Sequence, residues 1–223
     1  MDVKGCSWVL NGAREENRVM IRNIVFDMGN VLIRFDPKHF MDQAGITETA
    51  DREIMMKELF RSVEWAQMDL GVLTEDTAEH LILSRIPERL KEKVCHLLHN
   101  WAFPREEIPG MEALLQKLKS NGYRLFLLSN ASVMQHNYWP GIPLSRFFEG
   151  KLISCDVRVV KPCPEIYRIF TERFSLNPEE CLFIDDAINN VAGAVSCGWH
   201  GIVFHGDEAE LEEKMKAAGI HLA

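Results

Sequence analysis

Three short apolar runs in this chain each stop at polar residues. Ile24-Val25-Phe26 stops at Asp27, Leu125-Phe126-Leu127-Leu128 at Ser129-Asn130, and Cys181-Leu182-Phe183-Ile184 at Asp185-Asp186. Consecutive apolar positions over so few residues suit strands buried on both faces. Strands of that kind belong to parallel sheets covered by helices, and the C-terminal ends of such strands form the edge where open α/β sheets bind ligands. The pattern predicts that polar groups more than a hundred residues apart in sequence meet along one edge.

The texture between these runs sets the organisation. Residues 1–19 are polar and irregular and read as an N-terminal extension ahead of the first strand, with Trp8 available to pack it down. From 35 to 103 no strand pattern occurs. Ile54, Met55, Leu59 and Phe60 recur at helical spacing within 51–65. Thr74 is a good N-cap, followed by Glu75 and Asp76 in the first turn of a helix running to Ile86. Pro87 opens another helix, with Leu90, Val94, Leu97, Leu98 and Trp101 on one face. This region reads as an all-helical insert. After Pro109, helices at 111–120, 164–174, 189–197 and 208–218 alternate with strands, the shorter ones at 151–154 and 201–204. That alternation predicts a parallel sheet with helices on both faces. A short strand at Val159-Val160 leads into Lys161-Pro162, and Pro162 keeps Lys161 extended so that its ammonium reaches the same edge.

Composition narrows the chemistry. The 223 residues carry a net charge of -8 with no basic tract, which argues against nucleic acid and anionic membranes as partners. No apolar stretch has the length of a membrane span, and charged residues interrupt any signal-peptide core near the N-terminus. The six cysteines are scattered, with no CxxC pair, and read as reduced thiols of a cytoplasmic protein. An acidic chain that handles an anion must place its few cations locally, which makes a well-placed lysine such as Lys161 worth noting.

Taken singly, each polar group has an ordinary role. Asp27 could make an Asx turn, Ser129-Asn130 could cap a helix, Asp185-Asp186 could be an N-cap pair, and Lys161 could be solvated. Their occurrence in order at strand ends suits phosphate chemistry. A carboxylate nucleophile at Asp27 divides a displacement at phosphorus into two easier steps. Asp27 and Asp186 offer oxygen ligands for Mg²⁺, Ser129 and backbone N–H groups can hold phosphate oxygens, and Lys161 supplies a point charge. The turn at Gly29-Asn30 is expected to free backbone N–H groups.

These residues resemble the four motifs of the haloacid dehalogenase-like hydrolase superfamily: Phe26-Asp27-Met28-Gly29-Asn30-Val31-Leu32, then Leu128-Ser129-Asn130, then Lys161-Pro162 with Pro164-Glu165-Ile166-Tyr167, then Phe183-Ile184-Asp185-Asp186 with Asn190-Val191 and Gly193-Ala194. The chain is similar in particular to a bacterial subgroup that includes a sugar-1-phosphate phosphatase, through the Asp-x-Gly-Asn form of the first motif, Trp139-Pro140, and Trp65…Asp69-x-Gly71. The resemblance implies a Rossmann-like core over 20–34 and 104–223 and a helical cap over 35–103. It makes Asp27 nucleophile and metal ligand, gives the Gly29 carbonyl and Asp186 to Mg²⁺, places Asp185 in support, and assigns Ser129, the Asn130 backbone and Lys161 to phosphate.

One position departs from the family. Its phosphatases usually carry a second Asp two places after the nucleophile, as the proton-transfer group, and here that position is Gly29. The carbonyl survives the change; the acid does not, and such help is worth about 10²–10⁴-fold. Asp36, His39, Glu64 and Asp69 are the candidate replacements from the insert, unranked by sequence. The leading expectation is a Mg²⁺-dependent phosphatase acting on a small phosphorylated metabolite as partner, with a sugar phosphate among the candidates. The competing ones are metal-free 2-haloacid dehalogenation, which needs no donor at Gly29, and a non-catalytic binding protein. His96 and His99, three apart on one helix, lack a second pair of ligands and read as packing.

Overall fold

Alternate residues of the central strands go to opposite sides of one sheet. The structure is a computed structural model, and it describes residues 20–100 and 105–222. The 1–19 extension, Trp101 and the 103/104 boundary of the insert lie outside those residues. Five parallel strands, β1 (Asn23–Phe26), β2 (Arg124–Ser129), β3 (Gly150–Ile153), β4 (Cys181–Asp185) and β5 (His200–Val203), stand in the order β3-β2-β1-β4-β5. The chain passes from β1 outward to β2 and β3, then returns to the other side of β1 for β4 and β5, so the direction of strand order reverses at β1/β4. Ligands bind at that kind of switch point.

The two-residue period of a strand explains the two cores. Ile24, Phe26, Leu125, Leu127, Leu182 and Ile184 pack with α6 (Met111–Ser120) and α11 (Glu208–Ala217) through Leu114, Leu118, Leu211 and Met215. Val25, Phe126, Leu128, Cys181 and Phe183 pack the other way, with Ile166, Tyr167 and Phe170 of α9 (Pro164–Phe174) and Ala194 of α10 (Ile188–Ser196). Both faces are covered, so the strands are apolar throughout, as the sequence pattern requires.

Helices α1 (Pro37–Gln43), α2 (Thr49–Met55), α3 (Val63–Asp69), α4 (Glu75–Leu83) and α5 (Glu88–Asn100) form a third cluster, built on Phe40, Met55, Leu59, Met68, Ile82, Val94 and Leu97. No strand occurs among the described residues of this segment. The helix expected over 51–65 is broken. A π-helical turn at Met56–Phe60 follows α2, and the chain restarts at Ser62, whose side chain accepts a hydrogen bond from the Trp65 N–H and caps α3. Thr74 caps α4 through the Thr77 N–H, and that helix ends at Leu83 rather than Ile86. No strand forms at Val159-Val160. After β3 the chain makes the short α8 (Ser154–Val157) and reaches Lys161 through a loop with a cis Lys161-Pro162 bond.

The helical segment rests on the sheet edge at α8. The Ser154 hydroxyl donates to the Asp69 carbonyl and accepts from the Ala131 N–H, joining the end of α3 to the loop after β2. Gly71 has φ +70° and sits so close to Cys155 that a Cβ there would lie 2.3 Å from the Cys155 carbonyl oxygen. Both reasons require glycine. Gly71→Ala is expected to lower stability by more than about 1 kcal/mol in urea unfolding; an unchanged midpoint would mean that the contact does not hold the two parts together.

Candidate active site

Asp27 has the parity of Val25, and Asp185 that of Phe183, so both carboxylates leave the sheet toward the same face. Lys161 meets them there. Its Nζ lies 2.6 Å from Asp27 Oδ1, 2.7 Å from Asp185 Oδ2 and 3.1 Å from the Leu128 carbonyl oxygen, so all three ammonium protons have acceptors. Lys161 is 4% exposed and Asp27 8%. Burial pulls the ammonium down, but the two carboxylates outweigh it and hold Lys161 above its ordinary range. Burial pushes the Asp27 carboxyl up to about 7, opposed by Lys161 and reinforced by Asp185.

Neighbouring amides fix this triad. The Asn130 side chain accepts from the Lys161 N–H at 2.8 Å and donates to the Lys161 carbonyl at 3.1 Å. Asn190 Nδ2 donates to both Asp185 oxygens, at 3.0 and 3.1 Å, and Asp185 Oδ1 also accepts from the Ala187 N–H at 2.8 Å. Asp185 is therefore fully engaged as a support. Asp186 is exposed at the edge and accepts from Asn30 Nδ2 at 3.1 Å. Asn30, in the left-handed conformation at φ 55°, also accepts from the Phe35 N–H. Sequence reasoning gave Asn30 to a turn that frees N–H groups. Its own N–H instead bonds the Ile33 carbonyl at 2.7 Å, and its side chain positions Asp186.

Oxygen atoms of Asp27, Asp185 and Asp186 lie within 4.8 Å of one another. An all-oxygen set of this kind fits a hard divalent cation such as Mg²⁺. With Asp185 committed to Lys161 and Asn190, Asp27 and Asp186 are the carboxylates of this set left to hold an ion.

Above these groups is a cavity of about 240 Å³. Asp27, Gly29, Ser129, Asn130, Lys161 and Asp186 line its floor, and Phe35, Trp65, Met68, Asp69, Glu75, Leu98 and Tyr138 its walls. Of the four candidate proton-transfer residues, only Asp69 is here. Asp36 caps α1 and pairs with Arg34; His39 pairs with Glu106 at 2.9 Å; Glu64 is bound by Arg85 through two 2.8 Å contacts. Burial pushes the Asp69 carboxyl up to about 7, with Lys161 drawing it down and Asp27 raising it. Glu75 and Tyr138 are wall residues that sequence reasoning did not place in the site. Glu75 sits in the first turn of a capped helix, a position that already explains a carboxylate. The only pointer to Tyr138 was its place beside Trp139-Pro140.

A sequence model of the haloacid dehalogenase-like hydrolases matches residues 21–198. The chain belongs to that family. It is 25% identical to the D-ribitol-5-phosphate phosphatase of Bacteroides thetaiotaomicron over 179 residues, 77% of this chain and 86% of that protein. A family enzyme of Bacteroides thetaiotaomicron, solved as its magnesium complex, superposes with a TM-score of 0.68 at 21% identity, over 86% of this chain and 98% of that one. The L-2-haloacid dehalogenase of Xanthobacter autotrophicus superposes with a TM-score of 0.61 at 19% identity, over 90% and 84%. At such identities the two structures show the shared fold. The chain spans between 34% and 51% of the length of several other curated relatives. No helix among the described residues is long and apolar enough to cross a membrane.

The raised Asp69 carboxyl has a consequence for stability. With a folded value of about 7 against an ordinary 3.8, the native state binds more protons than the unfolded one between those limits. Ionisation of Asp69 therefore costs stability as pH rises through that window. In chelator, Asp69→Asn should gain in melting temperature on the wild type between about pH 5 and about pH 8. A difference that does not change with pH would show that Asp69 is not held in a protonating environment.

Proposed function

We propose that the protein is a Mg²⁺-dependent phosphatase of a small phosphorylated metabolite, with a sugar or polyol phosphate as the substrate class and an aspartyl-phosphate on Asp27 as intermediate. The observation that carries this reading is the Asp27 carboxylate held at 2.6 Å by Lys161 on a cavity floor shared with Asp186, with Asp185 buried behind it on the same ammonium. The ribitol phosphate phosphatase among the relatives supports the substrate class, and the magnesium complex of a family enzyme supports the metal. The helical segment serves as the cap that encloses the substrate.

Asp27, Asp186 and the Gly29 carbonyl would hold Mg²⁺, whose charge offsets the repulsion between the Asp27 carboxylate and a phosphate dianion. The chain's own groups account for the rest. Lys161 orients Asp27 through Oδ1 and adds positive charge beside the phosphate oxygens, while Ser129 lies next to them. Asp27 attacks phosphorus, the bond to the leaving oxygen breaks, and that oxygen takes a proton from the Asp69 carboxyl. Water then attacks phosphorus and gives a proton to the Asp69 carboxylate, the phosphorus bond to Asp27 breaks, and phosphate leaves. A raised carboxyl suits both halves, since catalysts of proton transfer work best near the operating pH. Asp69 in the cavity wall also weakens the case for metal-free dehalogenation, whose chief support was the missing acid at Gly29.

The test is turnover of a sugar-phosphate panel and an aryl phosphate with Mg²⁺. Asp27→Asn should abolish hydrolysis of every ester; retained activity would remove Asp27 as nucleophile. Asp69→Asn should lower kcat/KM, which reports only the steps through departure of the alcohol, by about 10²–10⁴-fold on alkyl-type esters and by much less on the aryl phosphate, whose leaving group needs little protonation. Equal losses on both would exclude Asp69 as the acid. Chelation should silence the enzyme, and release of halide from a 2-haloacid under chelation would contradict the proposal.

A further inference from the structure

Glu75 is the one cavity carboxylate that the chemistry above does not use. It is the first residue of α4 and 8% exposed, yet its Oε1 is buried with no hydrogen-bond partner among the described residues. The helix does not need it as a cap, because Thr74 fills that role. Arg85, just past the other end of the same helix, binds Glu58 at 2.9 Å and both oxygens of Glu64. The helical segment also contributes Trp65, Met68, Asp69 and Leu98 to the cavity lining. A buried acceptor left unpaired is costly, and more so when charged. The N-terminal end of α4 offsets part of that cost but supplies no donor to Oε1.

The Glu75 side chain lines the cavity from the helical segment, and Asp27, Ser129, Asn130 and Lys161 line it from the sheet edge. A phosphate ester seated on Asp27 directs its alcohol portion toward the helical segment. We infer that Glu75 accepts a hydrogen bond from a donor group on the leaving alcohol, and so selects phosphate esters whose alcohol carries a second hydroxyl or an ammonium group. This rests on the phosphatase reading and narrows it. An apolar alcohol would fill the space and offer the Glu75 carboxyl group no donor. A second phosphate on the substrate would meet the Glu75 and Asp69 carboxylates. Trp65 and Leu98 suit the C–H faces of a polyol or the methylenes of an amino alcohol, so the two donor chemistries share one geometry.

The experiment compares n-pentyl phosphate, a pentitol phosphate and 5-aminopentyl phosphate on wild type, Glu75→Leu and Glu75→Gln with Mg²⁺, reading kcat/KM. Wild type should prefer at least one donor-bearing ester over n-pentyl phosphate by roughly ten- to a hundredfold, the range of a hydrogen bond to a charged group. Preference for the pentitol identifies a hydroxyl as the natural donor, and preference for the amine an ammonium. Glu75→Leu should lose most of that preference. Glu75→Gln, which keeps the shape and an acceptor oxygen, should retain part of a hydroxyl preference and little of an ammonium one. Melting temperatures accompany the kinetics, and the near-isosteric Gln variant carries the test if the Leu variant does not fold. Wild type without preference, or Glu75→Leu with the wild-type preference, would overturn the inference while leaving the phosphatase reading intact. Failure of wild type on all three esters and on an aryl phosphate would sink the phosphatase reading, and the inference with it.

Discussion

The Lys161 ammonium is the point on which the site depends. It is the hub of three central strands: one proton goes to Asp27 after β1, one to Asp185 at the end of β4, one to the Leu128 carbonyl in β2. Three buried partners around one cation form an arrangement that is costly to break and poor as a source of stability, because desolvation offsets much of the attraction. Its gain is orientation. Asn130 clamps the Lys161 backbone from β2, Asn190 clamps Asp185 from α10, and Gly193 leaves room for the Pro162 carbonyl, which would lie 2.8 Å from a Cβ there. The Asp27 carboxylate is thus positioned by elements far apart in sequence that the parallel sheet brings to one edge.

The same edge receives the cap. Ser154 and Cys155, directly after β3, hold Asp69 and Gly71 at the end of α3. That contact delivers an acid to the cavity from outside the core, at a site where the core offers only Gly29. Tyr138 faces the same space, its phenol pushed up by burial, with Arg105 over its ring at 4.9 Å. The division of labour is physical. In the proposed mechanism the sheet edge supplies groups for phosphorus that must not move, and the helical segment supplies groups for the leaving alcohol.

Much of this was legible in the sequence where a local signal coincided with a tertiary role. The apolar runs ending at Asp27, Ser129 and Asp185 marked buried strands, and the helices at Met111–Ser120 and Pro164–Phe174 were bounded by Asn121-Gly122 and by Pro164. Where one pattern serves two geometries, it misled. The apolar spacing of Ile54 to Phe60 fits an unbroken α-helix as well as the π-turn that replaces it. Asp69 could not be ranked above Asp36, His39 and Glu64, because only the docking on α8 sets it apart. Asn130 was read for its backbone, whereas its side chain does the positioning. Glu75 was hidden by a helix-end explanation that is correct and incomplete.

The central claim is that the carboxylate held by Lys161 is the group that takes the phosphoryl. Acid-quenched single-turnover mixtures of the wild-type protein, Mg²⁺ and a phosphate ester, digested and sequenced by mass spectrometry, test it most directly. The account predicts a transient phosphoryl group on Asp27, absent when the ester is omitted. A phosphoryl group on any other residue, or turnover with Asp27 unmodified at every quench time, would contradict it.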